Sequence, residues 1–136
     1  GRPQPTRSTV SSDYAPKADV MLHVALGGMV EETQRFFDAM AEYGVDYDVI
    51  GQSYYPEWHG TLEDLERNLK SMAKEIGKPI YVVEYRDYFL DINRIVEALP
   101  DGLGLGTFIW EATSPQWGKL FDEKGASTPA LDEYNR

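Results

Sequence analysis

The chain has 136 residues, with 13 Lys and Arg against 23 Asp and Glu, a formal charge of −10. That balance argues against a nucleic-acid partner, because neutralising phosphates needs a positive field. The absence of cysteine removes disulfides, thiolate metal sites and thiol nucleophiles, and no apolar run approaches the roughly 20 residues that cross a bilayer.

Residues 1–17, GRPQPTRSTVSSDYAPK, are polar and rich in Pro, Ser and Arg. They read as a linker or loop entering the folded region, without the apolar stretch of a signal peptide. From Lys17 the pattern becomes regular. Ala18–Ala25 is a short apolar run, the first predicted strand. Glu31–Tyr43 has helical spacing, with Val30, Phe37, Met40 and Tyr43 near one face, and Gly44 is a suitable stop. Tyr47–Tyr55 is the second strand. Thr61–Ile76 is the best-patterned helix. Thr61 and Asp64 resemble a capping box, Leu62, Leu65, Leu69, Met72 and Ile76 follow a 3,4 spacing, and Gly77 ends it. Pro79–Tyr85 is the third strand. Asp91–Leu99 is a short helix with Ile92, Ile95, Val96 and Leu99 inward, closed by a turn at Pro100-Asp101-Gly102. Leu105–Glu111 is the fourth strand, and one helical turn is expected near Ala130–Tyr134.

The order βαβαβαβ predicts a parallel sheet in an α/β protein. The strands begin near residues 18, 47, 79 and 105, steps of 29, 32 and 26 residues. An eight-unit barrel of about 250 residues has steps of roughly 30. The same steps also suit a flavodoxin-like sheet.

In such folds the chemistry sits at the carboxyl ends of the strands. Strict alternation groups Met21, His23 and Ala25; Gly51, Ser53 and Tyr55; Ile80, Val82 and Glu84; and Gly106, Phe108 and Trp110. Each set runs from apolar or small residues to a polar or aromatic end, as the interior of a barrel with an active rim would. Glu84 closes the run Ile-Tyr-Val-Val. Taken alone, it is more simply a strand end in solvent or a partner of Arg86. His23 alone is more simply a satisfied core histidine. Trp110 is either a plug for the barrel mouth or a platform for a sugar face. Ser53-Tyr54-Tyr55-Pro56-Glu57-Trp58-His59-Gly60 gathers three aromatics and a His after a strand. It fits a rigid packed loop and a carbohydrate surface equally well. No GxGxxG follows the first strand, and no Walker A run, GxSxG or HExxH is present. No cofactor and no metal are therefore expected.

Val20–His23, Asp48–Gly60, Tyr81–Glu84 and Gly104–Glu111 together resemble glycoside hydrolase family 53, the arabinogalactan endo-β-1,4-galactanases. The block SYYPEWHGTL is the most specific part. The resemblance covers about residues 18–125 and only the second half of that family's (β/α)8 TIM barrel, its fifth to eighth strands. It implies a retaining glycosidase acting on β-1,4-galactan or another neutral polysaccharide. Glu84 matches the nucleophile, and Tyr55, with Tyr54 and Ser53 beside it, matches the tyrosine region that contacts it. His23 and Trp110 match the histidine of the fifth strand and the tryptophan of the eighth. Trp58 and His59 match the loop shaping the sugar cleft. The family's proton-donating glutamate lies in an Asn-Glu pair on its fourth strand, and no Asn-Glu pair occurs in these 136 residues. Glu84 is followed by Tyr85-Arg86-Asp87-Tyr88, where the family usually places small residues and an aromatic. The resemblance implies that residues 18–136 are half of a catalytic domain. The chain is then expected to be a fragment that is inactive alone, or a half barrel that pairs with the missing half or a second copy. A secreted protein, with no nucleic-acid or membrane partner, is the corresponding expectation.

Overall fold

A computed structural model describes Ala15 and residues 17–133. The predicted leader, Ala15 and Lys17 apart, and the predicted helical end at Tyr134 lie outside the described residues. The chain runs β1 (Met21–Val24), α1 (Val30–Glu42), β2 (Val49–Ser53), α2 (Pro56–His59), α3 (Leu62–Glu75), β3 (Ile80–Glu84), α4 (Phe89–Glu97), a 3-10 turn (Pro100–Gly102), β4 (Gly104–Thr107) and α5 (Pro129–Glu133). The four strands pair in parallel in chain order, β1-β2-β3-β4. Each crossover carries a helix, as parallel pairing requires.

The helices form where the sequence pattern is strongest. The N-terminus of α3 carries the expected capping box. The Thr61 side chain accepts from the Asp64 backbone N–H at 3.2 Å, and an Asp64 oxygen accepts from the Thr61 N–H at 2.9 Å. Leu65, Leu69 and Met72 of α3 are buried against Ile50, Ile80, Val82, Ile92 and Val96. In α1 the inward residues are Thr33 and Phe37. Tyr43 is 70% exposed, which corrects its placement on the apolar face. Its position past the last turn frees it from the helix stripe. The segment Pro56–His59, expected to be loop, is a single helical turn started by proline at its first position.

All the strong helical packing falls on one face of the sheet. The other face leaves Met21 and Phe108 more than a third exposed. Tyr81 and Phe108 meet there at a tilt, with ring centroids 5.5 Å apart.

Two irregularities set which side chains reach that open face. Ile80 and Val82 are fully buried on the helix side, which corrects the expectation that they line the opposite face with Glu84. Between β2 and β3 the register shifts: Gln52 pairs with Val82, but Ser53 pairs with Glu84. The extra residue, Val83, is a β-bulge that reverses the alternation. It turns Glu84 to the open face and Tyr85 into the core. A second shift pairs Ile80 with Gly104 but Tyr81 with Gly106. Gly106 has φ 145°, a conformation open to glycine, and a Cβ there would face the Tyr81 ring.

The fourth strand is shorter than expected, ending at Thr107. Its backbone continues to pair, with Phe108 N–H bonded to Val82 and Trp110 N–H to Tyr85. Glu111, at φ 45°, ends the run.

Candidate active site

The carboxyl ends of β1, β2 and β3 converge on a cavity of about 350 Å³ lined by His23, Ala25, Ser53, Tyr55, His59 and Glu84. Odd-numbered residues of β1 and β2 face it by alternation, and Glu84 joins them through the bulge. Glu84 is the carboxylate of this set. The Tyr55 hydroxyl donates to Glu84 Oε1 at 2.9 Å. His23 Nε2 lies 3.9 Å from Glu84 Oε2 and 2.5 Å from Ser53 Oγ. Burial, and then the bond to Glu84, push the Tyr55 phenol well above its ordinary range. In this geometry the Tyr55 hydroxyl is the donor and the carboxylate the acceptor.

His59 is only 6% exposed. Its Nδ1 accepts the Tyr55 backbone N–H at 3.0 Å, so that nitrogen carries no proton. Burial lowers its pKa, while a bond with the Ser53 backbone and the Glu84 and Glu57 charges oppose the shift. In the neutral ring the proton is then on Nε2.

Tyr54 is not part of this group. It is 1% exposed, packs in the core on the helix side, and donates to the Gly60 carbonyl at 2.9 Å. Alternation sends it away from Ser53 and Tyr55, which corrects its assignment to the sugar surface. Trp58 is 65% exposed and its ring meets Tyr55 edge-on at 5.7 Å; Trp110, 43% exposed, is outside the cavity lining and bonds by its backbone N–H to Tyr85.

Arg86 does not neutralise Glu84. Its guanidinium binds Glu57 at 2.5 Å and Asp87 at 2.8 Å and lies over the Trp117 ring at 5.7 Å. Lys119 reaches Asp87 from the far side at 3.4 Å. Burial raises the Asp87 carboxyl, but Arg86 and Lys119 outweigh it and hold it below its ordinary value. This strap ties α2, the β3–α4 loop and the segment after β4 together. Sequence reading missed it, because partners 29 and 32 residues apart carry no local signal. Gln52 and Asn68 were also missed. Both are fully buried. Gln52 donates to the Val24 and Ala25 carbonyls and Asn68 to that of Gly27, fixing the β1–α1 loop at the cavity edge. Here a signal existed: each is a polar residue at a position of core parity or on the apolar stripe.

Among the described residues no group of three or more His, Asp or Glu is placed to hold a metal. No described helix is long and apolar enough to cross a membrane.

The sequence pattern of glycosyl hydrolase family 53 matches residues 6–91. The chain belongs to that family. It is similar to an uncharacterized protein in the bgaB 5' region of Niallia circulans, 34% identical across 72% of this chain and 35% of that protein. It is 47% identical over 47 residues to an endo-β-1,4-galactanase of Bacillus subtilis, covering 35% of this chain and 11% of that protein. It is 37% identical over 78 residues to an arabinogalactan endo-β-1,4-galactanase of Cellvibrio japonicus, covering 53% and 20%. Among solved structures, the family 53 catalytic domain of Ignisphaera aggregans superposes with TM-score 0.80 at 24% identity, over 90% of this chain and 48% of that one. A structure from work on two fungal β-1,4-galactanases gives 0.78 at 21%, over 90% and 49%. The chain thus spans about a third or less of these curated relatives and about half of the solved domains. Its four βα units are half of a family 53 (β/α)8 barrel, and the flavodoxin-like alternative falls away.

Proposed function

We propose that this chain supplies the nucleophile half of a retaining endo-β-1,4-galactanase, with Glu84 as the nucleophile. The observation that carries the reading is the hydrogen bond from Tyr55 to Glu84 Oε1, at the carboxyl end of a parallel strand and facing the cavity. That bond leaves Oε2 for attack. In a retaining reaction Oε2 forms an ester to the anomeric carbon as the bond to the leaving oxygen breaks, and a second carboxyl group about 5–5.5 Å away gives that oxygen its proton. The same group, now a carboxylate, then takes a proton from water, which displaces Glu84. On this reading the second carboxyl belongs to the half of the family domain that these 136 residues do not contain. Trp58 and Trp110 supply flat apolar faces for sugar rings. His23, with Ser53, offers polar contacts to hydroxyls. An acidic surface suits a neutral glycan, and the proposal includes an extracellular site of action.

The test is Glu84→Gln in a protein carrying the complete barrel, assayed on β-1,4-galactan. The expected loss in kcat is roughly a thousandfold or more; unchanged turnover removes the assignment. The 136-residue chain alone is expected to hydrolyse little or no galactan. A second reading, a carbohydrate-binding half barrel without catalysis, is favoured by the single carboxylate in the cavity. It predicts galactan binding without reducing ends being released by either the chain or the complete barrel.

A further inference from the structure

His59 lines the cavity, but it is only 6% exposed and its ring takes no step in the chemistry above. Its bonds run to the backbone of Tyr55. Nδ1 accepts the Tyr55 N–H at 3.0 Å, and the His59 N–H returns to the Tyr55 carbonyl at 2.8 Å. The Tyr55 N–H would otherwise be an orphan donor, because Tyr55 is the N-cap of α2 and no side-chain cap is made there. The ring is boxed in by the Tyr54 and Tyr55 rings at 6.4 and 5.9 Å. The β1–α1 loop closes against its carbonyl, since a Cβ on Gly28 would lie 1.9 Å from His59 O.

We propose that His59 is a positioning residue: its ring and its own backbone N–H hold the Tyr55 backbone at both ends of the residue and so set the phenol that meets Glu84. The double tether fixes the Tyr55 Cα, and the phenol then reaches Glu84 without a search over backbone conformations. The role rests on the reading of Glu84 and Tyr55 as site residues, but its test needs no glycan. The positioning can therefore fail while the nucleophile assignment stands, and the reverse.

Two measurements on the 136-residue chain decide it. The chain has only two histidines, so ring ¹⁵N NMR can assign each. His59 is expected in the neutral form with the proton on Nε2; a proton on Nδ1 overturns the proposal. Tyrosines labelled with ¹³C at ζ then report the Tyr55 phenol, identified by its loss in Tyr55→Phe. In the unaltered chain it is expected to ionise well above the ordinary value of 10. In His59→Leu the phenol is expected to ionise lower by about one pH unit or more, as its hold on Glu84 loosens. His59→Asn keeps an acceptor in place of Nδ1 and is expected to retain the unaltered titration. A folded His59→Leu chain with unchanged Tyr55 titration, or an Asn variant that behaves like Leu, overturns the proposal. If His59→Leu does not fold, the ring tautomer and the Asn variant decide.

Discussion

At the scale of single residues, burial decides what each aromatic hydroxyl does. Tyr54 and Tyr55 are neighbours in sequence, yet one anchors the helix side and the other faces the carboxylate. Burial, followed by the nearby Tyr88 and the acidic residues around it, pushes the Tyr54 phenol from 10.0 up to about 12. An acid whose folded pKa is raised favours the fold while protonated. Its contribution is complete below the unfolded value of 10 and is lost as pH rises towards 12. The Tyr55 and Tyr47 phenols shift in the same direction, burial being the first cause in both. Denaturant midpoints are therefore expected to fall between pH 10 and 12. In Tyr54→Phe that fall is expected to shrink, at a cost of about 1 kcal/mol at neutral pH from the lost bond to the Gly60 carbonyl.

At the scale of elements, caps and close approaches fix how α3 and α4 sit on the sheet. The Thr61 hydroxyl satisfies a donor that the first turn of α3 leaves without a helical partner. Thr61→Ala is expected to cost about 1 kcal/mol, read as a lower urea midpoint at unchanged slope. Where β4 meets α4, a Cβ on Gly104 would fall 1.8 Å from the Val96 carbonyl. Backbone cannot give way as a side-chain tip can. Gly104→Ala is therefore expected to lose about 1–3 kcal/mol by the same assay, as α4 is forced off the sheet. The strap through Arg86 binds three loops, and its Asp87 end has a depressed pKa. That contribution is present above the unfolded value of 3.8 and is lost as pH falls below it. Hydrogen exchange in α2 is expected to quicken over that interval.

At the scale of the whole molecule, the sheet has one covered face and one open face. Among the described residues β1 and β4 pair on one side only. Met21 and Phe108 stand exposed on the open side. This chain corresponds to about half of the related solved domains; in a complete (β/α)8 barrel the strand face opposite the helices lines the interior. Unpaired edges and an apolar face promote association. The isolated chain is expected to self-associate by light scattering at micromolar concentration. A Met21→Lys, Phe108→Lys double variant is expected to shift it towards monomer. An unaltered chain that stays monomeric at all concentrations would count against this account of the face.

What the sequence by itself determined is what local chemistry encodes. The four strands, the three main crossover helices, the Thr61–Asp64 box and the family block around Ser53–Leu62 could all be read from spacing and residue type. Each depends on neighbours within a few positions. The parity of Glu84 could not be read this way. Alternation puts Glu84 with Ile80 and Val82, and only pairing with β2 reveals the bulge that turns it to the open face. The same holds for His59, whose place at the cavity and whose bonds to the Tyr55 backbone appear only in the fold. It holds also for Arg86, which pairs with Glu57 and Asp87 and not with Glu84. Strand register and long-range ion pairs are fixed when distant segments meet. The face a residue occupies, and hence its chemistry, was therefore decided by the tertiary structure.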